Sequence, residues 1–301
     1  MVRRAIAVLM LPACLVGAGC GETSPGTPKL AAQAAPDLDK LRYPLDAFDL
    51  TDTEAVTLAR ARHLLTQRCA RRFGAEIPAR RPGPARPPRG ERYGLADAGL
   101  ARTWAYSPSI PLARPAHWQS EIEAGSRTFL VVNGASPQGR KAGIAGLPVG
   151  GCEGAAERTL RKGVATGAKS PIPALDEQAL RASRNDPAVK RAAGEWKRCM
   201  ERQGYRIDDP VEGPFRYWGQ KRAAGPRPSR EQARKGVPPS SRERRGALWD
   251  VACKQESGFV RVWIAADMAE QRGLVARDLR RLTDHRRRLD TEVRNAEHAL
   301  R

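Results

Sequence analysis

The sequence predicts a mainly α-helical domain, stapled by two disulfides, carrying long Pro- and Gly-rich loops and ending in a long helix. Three observations predict it. Helix-start and helix-stop signals recur along the chain; four cysteines, Cys69, Cys152, Cys199 and Cys253, follow an export signal; and apolar residues recur every three or four positions from Val275 to Leu300. Aromatics are 5% of the residues, Gly and Pro number 28 and 24, and mean hydropathy is -0.55, which suits compact islands joined by linkers better than one solid body.

Residues 1–19 read as a signal peptide. Arg3 and Arg4 form a positive start, Ala5 to Ala18 supply a short apolar run, and small residues lead to Cys20. The apolar run of ~15 residues falls short of the roughly 20 a membrane-spanning helix needs. Leu15-Val16-Gly17-Ala18-Gly19-Cys20 resembles the lipobox of bacterial lipoproteins, whose cysteine is acylated, although Gly17 stands where such boxes usually carry Leu. Cys14, after Leu11, is the alternative, with a shorter apolar run. Cys20 is the expected lipidation site. Residues 20–37 lack apolar periodicity and read as a tether of about 20–25 Å.

The predicted domain covers 38–258. Thr51-Asp-Thr-Glu54 is a capping box, after which Leu58, Leu65, Cys69 and Phe73 share a helix face, and Gly74 and Pro78 end it. Tyr43 to Phe48 is expected to pack on that face. Residues 78–90 read as a Pro- and Arg-rich loop. Phe129 to Val132 before Asn133-Gly134 reads as a strand and turn, enough for one short β-hairpin. Gly150-Gly-Cys152 opens another helix, Asp186-Pro187 caps the next, and residues 213–240 read as a second basic loop. Ser240-Ser-Arg-Glu243 is a further capping box, leading into a helix with Leu248, Trp249 and Cys253.

Residues 259–301 form the long amphipathic helix, with Val275, Leu279, Leu282, Leu289, Val293, Ala296 and Leu300 as its seam. It either folds back, with Gly273 as the bend, or projects and pairs with another helix. Cys69, Cys199 and Cys253 each open a Cys-x4-Gly ending at Gly74, Gly204 and Gly258. A cysteine on the inner face of a helix's last turn suits a staple, and the glycine suits a left-handed cap. Four cysteines permit three pairings, which sequence alone does not separate. The pairing adopted is Cys69–Cys152 with Cys199–Cys253.

The net charge is +20, and loss of Arg3 and Arg4 with the signal leaves +18. Such a balance calls for anionic partners, and outside the cytoplasm these are lipid head groups and anionic wall polymers, not nucleic acid. Only 10 of the 53 basic residues are Lys, an arginine bias that a GC-rich genome also produces.

Chemical motifs are few. Gly134 to Lys141 has the four-residue gap of a phosphate-binding loop, but Arg140 replaces the Lys, Lys141 the Ser or Thr, and Pro137 removes an amide. Cys152, at a helix start, is the candidate nucleophile if an enzyme is sought, and its default fate is a disulfide. Tyr205, Phe215, Tyr217 and Trp218 could line a groove, or form a satellite core. His63, His117, His285 and His298 have no metal-ligand spacing and read as surface or capping residues. No catalytic residue, metal ligand or cofactor is expected.

Tyr43-Pro-Leu-Asp-x-Phe48, Gly150-Gly-Cys-x-Gly-Ala-Ala156, Trp196-x-x-Cys-Met-x3-Gly-Tyr205 and Asp250-Val-Ala-Cys-Lys254, in that order after a lipobox, are similar to uncharacterised predicted lipoproteins of high-GC Gram-positive bacteria. The resemblance covers most of the mature chain and brings no activity with it. It implies an extracytoplasmic protein held to the outer face of the cell membrane, or secreted if Cys20 carries no lipid. The expected role is a non-catalytic binding or scaffolding module for envelope proteins or wall polymers. An envelope-acting enzyme using Cys152 or the aromatic groove is the alternative.

Overall fold

The computed structural model describes residues 28, 36–38, 40–77, 92–106, 122–165, 169–225 and 238–301. The signal segment with Cys14 and Cys20, most of the tether, the 78–90 loop, His117 and residues 226–237 lie outside the described residues. A short 3-10 helix, Pro44–Phe48, precedes nine α-helices among the described residues: α1 Asp52–Arg72, α2 Ala98–Thr103, α3 Arg127–Asn133, α4 Gly151–Leu160, α5 Ile172–Ser183, α6 Pro187–Arg202, α7 Glu212–Ala223, α8 Ser241–Glu256 and α9 Phe259–Leu300. Among the described residues there is no sheet, only an isolated antiparallel bridge between Ala135 and Lys141.

The local signals act through identifiable hydrogen bonds. At α1 the Glu54 amide donates to Thr51 Oγ1 (3.3 Å) and the Thr51 amide donates to Glu54 Oε2 (2.8 Å), a complete capping box. Asp186 accepts from the amides of Ala188 and Val189 ahead of Pro187. Gly74, Gly204 and Gly258 all take positive φ, +66°, +81° and +65°, so each Cys-x4-Gly does end its helix in a left-handed turn. Ser240 caps α8 by accepting from the Glu243 amide, but the Glu243 carboxylate turns inward, so the reciprocal half of that box is missing.

Helix α9 folds back along the body and is its spine. Its first third packs Phe259, Val260, Trp263 and Ile264 against Tyr43, Tyr93, Val189 and Ala192. Its middle sets Leu274 and Leu282 against Leu45 of the 3-10 helix and Leu175 and Ala179 of α5, and its end sets Ala296 against Ala61 of α1 and Leu160 of α4. Asp278 has non-helical angles (φ -104°, ψ 17°), which places a kink within the middle sector, between Leu274 and Leu282. The bend is therefore five residues beyond Gly273.

The disulfides clamp this bundle. Cys69 at the end of α1 is bonded to Cys152 at the start of α4, and Cys199 of α6 to Cys253 of α8, across Cα separations of 5.5 and 5.6 Å. They close stretches of 83 and 54 residues, each worth about 4–5 kcal/mol on loop-closure entropy. Disulfides of this kind mark an oxidising, extracytoplasmic environment. Among the described residues no helix is long and apolar enough to cross a membrane.

Four expectations are corrected. Phe129 to Val132 is helical, not a strand: Ser126 caps α3 by accepting from the Phe129 amide, Gly134 (φ +74°) closes it, and Val131 and Val132 are fully buried beside Cys152 and Ala70. Packing and caps here override β-propensity. The start of the 213–240 loop is helix α7, because Pro214 sits in its first turn and Asp209 accepts the amides of Val211 and Glu212. Tyr43 to Phe48 packs on α9 and α5, not on α1. The seam of α9 runs through Leu274, Leu282, His285, Val293 and Ala296, leaving Leu279 52% exposed, because an ordinary helix drifts out of a strict heptad.

Helices α3 and α4 meet backbone to backbone. A Cβ on Gly151 (φ +65°) would lie 2.4 Å from the Val132 carbonyl oxygen, whereas one on Gly139 (φ +80°) meets nothing within 4 Å. In urea denaturation Gly139→Ala should cost about 1–2 kcal/mol for the left-handed backbone alone, and Gly151→Ala distinctly more. Equal losses would show that the contact yields freely.

Candidate functional site

The interior uses its charged residues structurally. Asp267 of α9 is fully buried and accepts from Arg92 Nε (2.7 Å), from the Tyr93 hydroxyl (2.7 Å) and from Gln271 Nε2 (3.2 Å). Arg92 also forks onto Asp176 of α5 at 2.7 and 2.9 Å and lies over the Tyr43 ring at 5.3 Å. Burial alone would lower Arg92, but its hydrogen bonds to Asp267 and Asp176 outweigh it and hold the guanidinium charged. Burial and the hydrogen bond to Tyr43 push the Tyr93 hydroxyl far up, so it stays a donor.

A second network ties α6 to α8. Asp250 accepts from the Tyr106 hydroxyl (2.6 Å), Trp196 Nε1 (2.7 Å) and Lys254 Nζ (2.9 Å), and Lys254 also donates to the Leu95 carbonyl (2.9 Å). Burial pushes Asp250 up and Lys254 down, against the pull of each on the other. Beside them the Glu243 carboxylate accepts from the Tyr106 amide (3.3 Å) and from Arg222. Local spacing shows Asp250 and Lys254 only as an i,i+4 pair; their burial was not readable from it.

The sequence-derived candidates fall into this scaffold. Cys152 is fully buried and bonded to Cys69, so it is a staple and not a nucleophile. Tyr205 and Trp218 are core, with Phe215 and Tyr217 packed against them; a Cβ on Gly246 would sit 2.6 Å from the Trp218 ring, which leaves no room for a groove. His285 is buried, 5% exposed, with Nε2 3.1 Å from the Ser170 hydroxyl, so the surface reading fails for it; His298 is exposed and His63 half-buried. Gly134 to Lys141 is a tight turn in which the Gly139 amide donates to the Ser136 carbonyl. Among the described residues no group of three or more His, Cys, Asp or Glu is placed to hold a metal ion.

What faces outward is arginine. At the kink of α9, Arg277, Asp278, Arg280, Arg281, Asp284 and Arg288 line a shallow cleft of about 360 Å³. Spacings of three, four and seven gather Arg277, Arg280, Arg281 and Arg288 along one side of α9, with Arg281 and Arg288 one turn before and after the buried His285. Arg277 donates to Asp278 at 2.7 and 2.9 Å and Asp284 is engaged by Arg287, so both carboxylates are occupied within the helix. Arg280, Arg281 and Arg288 make no salt bridge among the described residues. A cleft of about 300 Å³ beside the 3-10 helix holds Arg42 against Asp46 and Asp52, and one of about 210 Å³ holds Arg198 and Arg202 against Glu195 and Glu256. Of these three, the kink cleft alone has a surplus of cations. The chain matches no protein-family model, no curated protein and no solved structure.

Asp250→Asn leaves one acceptor oxygen where Trp196 and Tyr106 use two, and strands the Lys254 charge, so it should cost about 3–5 kcal/mol; adding Lys254→Met should restore part of that loss. Additive losses in chemical denaturation would show the two charges to be uncoupled. Burial, reinforced by Arg288, holds the pKa of His285 below 6.5. The unfolded chain then takes up the proton more readily, so stability is full above the unfolded value and falls as pH drops from about 7 toward 5. His285→Gln should flatten that slope in denaturant titrations, and an unchanged slope would assign it to other groups.

Proposed function

We propose that this chain is an exported, membrane-anchored, non-catalytic binding module of the cell envelope, lipidated on Cys20 and presenting a basic surface to anionic wall polymers or envelope proteins. The observation that carries the reading is the pair of inter-helix disulfides, because bridges of that kind are formed and kept outside the reducing cytoplasm. The export signal and the lipobox-like Cys20 agree with them. The +18 balance of the mature chain supplies the attraction, and the outer face of α9 offers its densest cationic stretch. The apolar seam of α9 is spent inside the fold, so a partner meets charge and not a coiled-coil surface.

Intact mass of the membrane-extracted protein tests this directly. A chain beginning at Cys20, heavier than its sequence by attached acyl groups and gaining four hydrogens on reduction, is the expected result. An unmodified chain retaining Met1, with free thiols, would remove both anchor and compartment.

A further inference from the structure

We propose that the cleft at the kink of α9 is a binding site for a linear phosphodiester polymer, with Arg280, Arg281 and Arg288 as the phosphate-contacting residues and Arg277 at its edge. This rests on the envelope-binding reading and names its site.

Arginine presents a planar fork that matches phosphate oxygens in pairs, so three guanidiniums without carboxylate partners among the described residues form a better anion site than an equal number of paired ones. The stretch from Arg277 to Arg288 covers about 16 Å of helix at 1.5 Å per residue, an elongated array and not a single socket. An elongated array suits a ligand that repeats its charge along a chain.

A membrane surface is the competing source of phosphate, and the geometry disfavours it. An interfacial helix anchors by burying an apolar face among acyl chains. Here that face, with Leu274 and Leu282, is turned into the protein, and the outward side offers only Leu279 among charged residues. Asp278 and Asp284 also sit within the cleft, where a flat sheet of head groups would press against them, while a flexible chain passes between.

The test uses the full chain in nonionic detergent, with soluble poly(glycerol phosphate) as the probe, titrated calorimetrically over a range of salt concentrations. Two triple variants remove equal charge: R280A/R281A/R288A at the cleft and R60A/R71A/R72A at exposed positions of α1. The cleft variant should bind about tenfold more weakly or worse, and its log–log salt slope should shrink by about 2, at roughly 0.7 per lost phosphate contact. The α1 variant should stay within about threefold of the parent, since its charges are not cleft residues and add only attraction screened by salt. Both should stay folded, since Arg280, Arg281, Arg60, Arg71 and Arg72 are exposed and Arg288 is half-buried with no salt bridge among the described residues to lose, which a melting curve of each variant checks. Equal losses in the two variants would overturn the cleft as the site while leaving general polyanion binding in place. No polymer binding by the parent would overturn the proposal outright, with export and anchoring still judged by intact mass. If the cleft variant kept polymer binding but lost cosedimentation with phosphatidylglycerol vesicles, the site would belong to lipid and the polymer assignment would fall.

Discussion

The fold depends on one buried carboxylate, Asp267, on the helix that runs the length of the molecule. A carboxylate with no exposure is stable only if donors surround it, and those here come from separate parts of the chain: Arg92 and Tyr93 before α2, and Gln271 one turn along α9. Arg92 then draws in Asp176 of α5, Gln271 Oε1 accepts the amide of Leu45, and the Tyr93 hydroxyl meets that of Tyr43 at 3.0 Å. The 3-10 helix, the segment before α2, α5 and α9 thus converge on one point. An apolar seam tolerates a slip of one turn; a carboxylate matched to three donors does not. Asp250 does the same for α6, α8 and the segment at Leu95, beside the Cys199–Cys253 disulfide.

The parts of this that sequence reveals are the ones whose causes are local. Thr51 and Glu54 are three residues apart, Gly74, Gly204 and Gly258 follow their cysteines at fixed distance, and the periodicity of α9 needs no partner to be seen. The pins are not local. Arg92 and Asp267 are 175 positions apart, and nothing near either distinguishes it from the many exposed charges of the chain. At Phe129 to Val132 the local signal misled and a long-range contact helped decide the matter. Val131 and Val132 look like strand residues, yet the Cys69–Cys152 staple gives them a helical packing surface, and Gly134 becomes a helix cap where it had looked like a hairpin turn. The cleft was hidden for a related reason: the arginines of α9 are visible in the sequence, but which of them lack carboxylate partners depends on the kink at Asp278 and on Glu54, which reaches Arg286 from α1 at 2.9 Å.

Burial also explains where the chain's surplus charge goes. A charge in the interior must be matched, and the buried acids Asp250, Asp267 and Glu243 each hold a lysine or arginine. Carboxylates are thereby drawn inward as anchors, and the excess of basic residues is left to the surface. That excess is uneven, because helix α9 spends its apolar face on the core and turns mostly charged residues, arginines foremost, outward. A contact made by such a face gains little from apolar burial and draws its strength from releasing condensed counterions, which only a closely spaced array of charges holds in number. A lone anion would release few. The proposed cleft site therefore favours an extended polyanion over a small one, through the same rule that placed Asp267 at the centre of the fold.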